Sequence, residues 1–291
     1  MTAPIRPRRS VLYMPGANAR ALAKGRTVAA DALILDLEDA VAPDAKALAR
    51  QQVADAVREG GYGGREIIVR VNGLDTPWGA ADVAAVANCG AAALLLPKVE
   101  SAAMVHALEA AMVAAGAPDG LGIMCMMETP LGILRAEGIA TASARISALV
   151  MGTSDLVKDL HAAHTAERLP VLLSLSMCVL VARAHGLAVL DGVHLDLSDD
   201  DGFAASCRQG RELGFDGKTL IHPKTIAAAN AAFCPDEAEL AFAHRIIAAH
   251  AAATAAGRGV VVVDGRLVEN LHVAAARGQV ALAEAIAALA S

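Results

Sequence analysis

The sequence predicts a (β/α)8 TIM barrel, on three observations. Short runs rich in Val, Ile and Leu recur along the chain, each followed by a segment with helical patterning. Eight such units follow one another, which suits a closed barrel better than an open doubly wound sheet. The stretch after the first strand, "MPGANARAL", has one glycine, so a dinucleotide-binding sheet has no support.

The strands are read at 10–14 ("SVLYM"), 32–37 ("ALILDL"), 66–71 ("EIIVRV") and 92–96 ("AALLL"), then at 121–127 ("LGIMCMM"), 146–151 ("ISALVM"), 187–192 ("LAVLDG") and 217–222 ("GKTLIH"). Helices are expected at about 17–28, 43–59, 78–88, 100–115, 131–142, 170–185, 199–212 and 223–231. Asn18, Ser101 and Asp199 suit N-caps, and Pro43 suits a first helical turn. Gly60, Gly61, Gly116, Gly186 and Gly214 fall just past helix ends, where a left-handed residue is wanted. The barrel domain is assigned to residues 1–232. Residues 233–291 form an extension: an Ala-rich helix over about 235–257, a strand at 259–265 and a final helix over about 271–289.

Bulk properties narrow the function. The chain has 291 residues, 55% of them hydrophobic, enough for one large core. A net charge of −6 and only 2% aromatic residues argue against a nucleic-acid binder. No apolar run reaches the roughly 18 residues of a membrane span, and the basic N-terminus leads into no secretory h-region. The five cysteines form no CxxC pair, which fits reduced thiols in a cytoplasmic protein.

In a barrel, chemistry gathers where strands end and βα loops begin. The polar residues there are Asp36, Glu38 and Asp39 after strand 2, Arg70 and Asn72 on strand 3, and Lys98 after strand 4. Glu128, Asp155, Asp191 and His222 follow from strands 5 to 8. Glu128 ends the apolar strand in "GIMCMMETPLG", where an acid needs a cationic or hydrogen-bonding partner. Glu128 and Asp155, from adjacent strands, can supply two oxygen ligands to a Mg2+ ion whose octahedron water and substrate complete. No HxH or HExxH motif occurs, which turns the choice away from zinc. Lys98 either orients substrate or pairs with Glu100, and His222, followed by proline, fixes a loop. The backbone N–H groups of the Glu128–Gly132 segment open a helix and suit a substrate carboxylate, with Leu131 as a donor and Pro130, which has no N–H, as a contact beside the substrate.

Together, "RSVLYMPGANARALAK", "LILDLEDAV", "VRVNG", "LLPKVES", "METPLGIL", "GTSDL", "GFDGKTLIHP" and "VVDGRLVENLHVAAAR" resemble the citrate lyase β-subunit-like acyl-CoA lyases of the HpcH-HpaI aldolase family, which include malyl-CoA and citramalyl-CoA lyases. The resemblance implies a TIM barrel holding Mg2+ on Glu128 and Asp155. It implies that Arg70 meets the reacting carbonyl or carboxylate, with Asp36 in the catalytic rim. It places Arg20 and Lys24 at the CoA phosphates. It makes Asp264 an acid/base delivered from a neighbouring subunit, with the extension as a lid on a homotrimer or homohexamer. The implied reaction cleaves a 3-hydroxyacyl-CoA to acetyl-CoA and a 2-keto acid. A malyl-CoA thioesterase and a citrate lyase β-subunit are the alternatives. Two departures bear on specificity: the last motif reads "DGRLVENLH", and Leu195 stands where relatives often carry a polar residue.

Overall fold

The computed structural model describes residues 5–290. Residues 8–233 form one compact unit and the chain from residue 234 belongs to another.

In the first unit the elements run β1 (Ser10–Pro15), α1 (Ala19–Gly25), β2 (Ala32–Asp36), α2 (Lys46–Glu59), β3 (Glu66–Arg70), α3 (Gly79–Val86), β4 (Ala93–Leu96) and α4 (Ala102–Ala114). They continue as β5 (Gly122–Met127), α5 (Pro130–Leu134), α6 (Ala136–Ala140), β6 (Ile146–Met151), α7 (Thr153–Asp159), α8 (Leu172–Ala184), β7 (Ala188–Asp191), α9 (Asp200–Leu213), β8 (Gly217–Leu220) and α10 (Ile226–Ala232). All eight strands pair in parallel and in sequence order, and β8 closes on β1. The TIM barrel expected from the strand–helix alternation is the fold of this unit.

Strand side chains alternate between two apolar layers, as the pleat dictates. Val11, Ile34, Ile68, Leu95, Met124, Met126 and Val150 fill the barrel interior. Their neighbours Leu12, Leu33, Val69, Leu94, Cys125 and Leu149 pack outwards in the layer that also holds helix residues. Continuing the inward set by two residues towards the strand ends reaches Asp36, Arg70 and Glu128.

Local signals end the helices as expected. Asn18 accepts the N–H of Ala21, and Asp199 that of Gly202. Gly60 and Gly214 follow α2 and α9 with φ 73° and 100°, where a side chain would be strained. Ser101 occupies the N-cap position of α4 without making a cap bond. The helix expected at 131–142 is broken at Arg135 into α5 and α6, in a segment carrying the weak helix formers Gly132 and Gly138. Helix α7, inside "GTSDLVKDL", is an addition to the predicted elements.

Asp191 is a correction. It sits on the outward face of β7, fully buried, and takes no part in the barrel mouth. Arg168 Nη1 lies 2.7 Å from its carboxylate and Lys218 Nζ 2.7 Å from Oδ2. Lys218 is 1% exposed, and Asp191 is its buried carboxylate partner.

The second unit contains α11 (Glu237–Ala255), the strands β9 (Val261–Val263) and β10 (Arg266–Val268), and α12 (Asn270–Ala290). A capping box of Asp236 and Glu239 starts α11. The strand expected at 259–265 is a hairpin instead. Val263 pairs with Arg266, leaving Asp264 and Gly265 as a two-residue turn with φ 49° and 77°. Asp-Gly is the sequence signal for a type I′ hairpin turn. Val263, Val268, Val273, Ala243 and Ile246 make this unit's own core.

Asp191→Ala should leave two cations without their shared partner and cost about 3–5 kcal/mol of stability. Denaturant unfolding would show this as a lower midpoint, and an unchanged midpoint would contradict it.

Candidate active site

The barrel mouth is organised by Arg70. Its Nε and Nη2 donate to the two carboxylate oxygens of Asp36, each at 2.7 Å. Nη1 reaches Glu38 Oε2 at 2.9 Å and Asp39 Oδ2 at 3.7 Å. The guanidinium also lies over the Tyr13 ring, 4.9 Å from its centroid. Burial works against the Arg70 charge, but the bonds to Asp36 and its negative charge outweigh it and hold the group ionised.

Asp36 is fixed from the other side by accepting the N–H groups of Glu38 and Ala40. Behind it, Lys46 Nζ donates at 2.8 Å to the carbonyls of Leu37 and Glu38 and to Asn72 Oδ1. Asn72 in turn donates to Asp82. Burial lowers the Lys46 ammonium. Asn72 thus braces the loop after β2.

Glu128 stands at the end of β5, 2% exposed. Its Oε1 accepts the N–H of Lys98 at 2.8 Å. Burial pushes its carboxyl up to about 7, against the opposing effect of the Lys98 N–H and charge. Gly152 packs so closely on Glu128 that a methyl group there would collide with the carboxyl. That explains the glycine of "GTSDL". Asp155, two residues into α7, faces the same space with its side chain 30% exposed. The Lys98 side chain pairs with Glu38 at 2.6 Å and lies 3.8 Å from Asp155. These contacts stand in place of the Glu100 pairing, one of the two alternatives for Lys98.

Tyr13, Asp36, Arg70, Glu128 and Asp155 line a cavity of about 340 Å³. Asp36, Asp39, Arg70, Glu128 and Asp155 form its charged side, and Met126, Met151, Val193, Leu195 and Ile221 its apolar side. A larger cavity of about 630 Å³ lies across the Glu38–Lys98 pair, walled by Trp78, Leu74 and Met104, without Arg70, Glu128 or Asp155 among its lining residues. The chemistry therefore concentrates in the smaller one.

The donor set fits a hard divalent cation. A nearly dry carboxyl at the end of an apolar strand is unfavourable as an anion alone, and a second carboxylate shares its cavity. Among the described residues no group of three or more His, Cys, Asp or Glu side chains is arranged to hold a metal. Any cation here would rest on two protein carboxylates, with water and substrate completing its shell, as Mg2+ commonly does.

Not every expected residue comes to this mouth. Pro130 and Leu131 are absent from the lining of both cavities. Thr129 caps α5 and takes the Gly132 N–H, which removes one donor expected to grip a carboxylate. Arg20 and Lys24 lie one turn apart on the exposed face of α1 and line neither cavity. His222 Nδ1 accepts the N–H of Lys224 and fixes its loop as expected. Asp264 belongs to the other unit, where it pairs with Arg245 at 3.0 Å. Tyr13 and Lys46 were not singled out from sequence. The inward alternation of β1 is a signal for Tyr13, whereas nothing local marks Lys46.

Comparison with known proteins places this site in a family. Residues 9–223 match the HpcH/HpaI aldolase/citrate lyase model. The chain is 51% identical over 282 residues to a (3S)-malyl-CoA thioesterase of Cereibacter sphaeroides, covering 97% of this chain and 96% of that protein. It is 36% identical over 309 residues to an L-malyl-CoA/beta-methylmalyl-CoA lyase from the same species, covering 98% and 97%. Its fold matches that of the CitE protein from Mycobacterium tuberculosis in complex with magnesium, acetoacetate and coenzyme A. That match has a TM-score of 0.76 and 30% identity, covering 94% of this chain and 97% of that one. The chain belongs to the HpcH/HpaI aldolase/citrate lyase family, whose members include CoA-ester lyases and a thioesterase.

A carboxyl raised to about 7 by burial binds its proton more tightly in the fold than in the unfolded chain. Glu128 therefore costs the metal-free protein stability as pH rises from about 4.5 to about 7, by an amount of the order of 3 kcal/mol. Glu128→Gln lacks that ionisation. In chelator-treated protein the melting temperature of the variant relative to wild type should rise across this window. A difference independent of pH would contradict the buried, proton-holding Glu128.

Proposed function

We propose that this chain is a Mg2+-dependent enzyme that cleaves a malyl-CoA-type 3-hydroxyacyl-CoA, and that it breaks the thioester bond. The observation that carries the site is the buried Glu128 facing Asp155 beside the fixed Arg70. The choice of the thioester is favoured by the 51% identity, nearly end to end, to a malyl-CoA thioesterase.

Glu128 and Asp155 would hold the cation, and Lys98 keeps Glu128 in place through its N–H. Bound there, Mg2+ supplies Lewis acidity at the oxygens of the hydroxy-acid half. Arg70 is held rigid by Asp36 and Tyr13, so its charge is preorganised towards the oxyanion that develops on the reacting carbonyl. In hydrolysis, water adds to the thioester carbon, the C–S bond breaks, and a proton passes to the CoA sulfur. The products are CoA thiol and the free hydroxy acid. Asp264 is the proton-transfer group in this reading, on the strength of the motif resemblance, as are the CoA contacts of Arg20 and Lys24. The lid, the homotrimer or homohexamer and the supply of Asp264 from a neighbouring subunit belong to the same reading.

A second reading keeps the same site and breaks the carbon–carbon bond, giving acetyl-CoA and a 2-keto acid. It is favoured by the 36% identity to a malyl-CoA/beta-methylmalyl-CoA lyase over nearly the whole chain.

Incubation with malyl-CoA and Mg2+, with free thiol and keto acid measured together, separates the two. The expected result is one free CoA thiol per substrate consumed, no glyoxylate, and no turnover in chelator. Asp264→Asn should lose turnover by about 10²–10⁴-fold while still binding the thioester. Glyoxylate appearing without free thiol would establish the lyase instead, and turnover in metal-free buffer would remove the cation from the account.

A further inference from the structure

Lys98 follows Pro97 after β4 and adopts a left-handed backbone, φ 49°, that a residue with a side chain holds only at a steric cost. This conformation serves two contacts at once. Its N–H donates to Glu128 Oε1 at 2.8 Å. Its side chain crosses the mouth, with Nζ at 2.6 Å from Glu38 Oε1, 3.8 Å from Asp155 Oδ2 and 3.9 Å from Asp39 Oδ1. One residue thus reaches both acids assigned to the cation, Glu128 through its main chain and Asp155 through its ammonium. The side chain is 46% exposed, which leaves it room to withdraw.

We propose that Lys98 is a positioning residue and an internal counter-ion. Its ammonium offsets the crowded carboxylates Glu38 and Asp155 while no divalent cation is bound. It gives up Asp155 when one arrives, and its backbone keeps Glu128 aligned throughout. The proposal rests on the reading of Glu128 and Asp155 as the cation ligands. Its physical content is a competition: a positive charge a few ångströms from a ligand oxygen repels an incoming dication and makes the empty site less repulsive.

This competition fixes the sign of an experiment. A residue with only a scaffolding role would leave metal binding unchanged or weaken it when replaced. An internal counter-ion makes the neutral variants bind Mg2+ more tightly. Calorimetric titration of wild type, Lys98→Met, Lys98→Gln and Lys98→Arg with MgCl2 at low ionic strength reads this directly. The neutral variants should bind Mg2+ about tenfold more tightly, while Lys98→Arg stays within about twofold of wild type. Their melting temperatures should fall in chelator and gain more from Mg2+ than the wild type does. Either neutral variant suffices, so poor folding of one leaves the test intact. Unchanged or weaker Mg2+ binding in a folded neutral variant overturns the counter-ion role, while the metal reading stands if wild type binds Mg2+ and Glu128→Gln does not. A wild type that binds no Mg2+ overturns both.

Discussion

A single buried guanidinium, that of Arg70, sets the arrangement of the barrel mouth. Its bidentate pairing with Asp36 joins the ends of two neighbouring strands, β2 and β3, and Tyr13 on β1 covers its face. Removing Arg70 would strand a nearly dry Asp36 and free Glu38 to repel it, a loss of the kind that costs several kcal/mol. The pair is better understood as a device for orientation than as a source of stability, because burying both charges offsets much of their attraction. What it gains is a cation whose direction does not have to be found during a reaction.

Around that fixed point the mouth carries more acid than Arg70 alone can balance. Glu38, Asp39, Glu128 and Asp155 come within reach of two basic groups, Arg70 and Lys98. Glu128 is the driest of these acids and has no basic side chain bonded to it, and burial pushes its carboxyl up to about 7. Gly152 crowds it from behind. In the proposed reading a divalent cation would offset this crowding of acids, and a substrate with adjacent oxygens would complete the cation's shell. The opposite wall of the cavity, with Val193, Leu195 and Ile221, offers apolar surface to the remainder of such a molecule.

Much of this was legible in the sequence because the barrel repeats one rule eight times. Inward and outward residues alternate along each strand, and the C-terminal ends share one mouth. Asp36, Arg70 and Glu128 follow from those two facts. Asp191 did not, because it was judged by its place at a strand end and not by alternation: Leu190 points inward, so Asp191 points out. For Lys98 two alternatives stood open, orienting substrate or pairing with its sequence neighbour Glu100, and its side chain reaches Glu38 and Asp155 across the mouth. The donor lost at Gly132 depends on Thr129 acting as an N-cap, a signal that "ETPLG" carries just before the N1 proline. The hairpin around Asp264 carried a clear Asp-Gly turn signal that a run of valines obscured. The brace of Lys46 on the loop after β2 is a tertiary contact with no local pattern to announce it.

In the proposed function Glu128 and Asp155 together hold a divalent cation beside Arg70. The most direct test is crystallographic: grow the protein with Mn2+, which scatters anomalously, and locate the metal without bias from the chemistry assumed. One strong anomalous peak is expected at bonding distance from both carboxylates, absent in Glu128→Gln and in Asp155→Asn. A fully bound Mn2+ elsewhere, or a Lys98 ammonium still holding Asp155 with no metal beside Glu128, would contradict it.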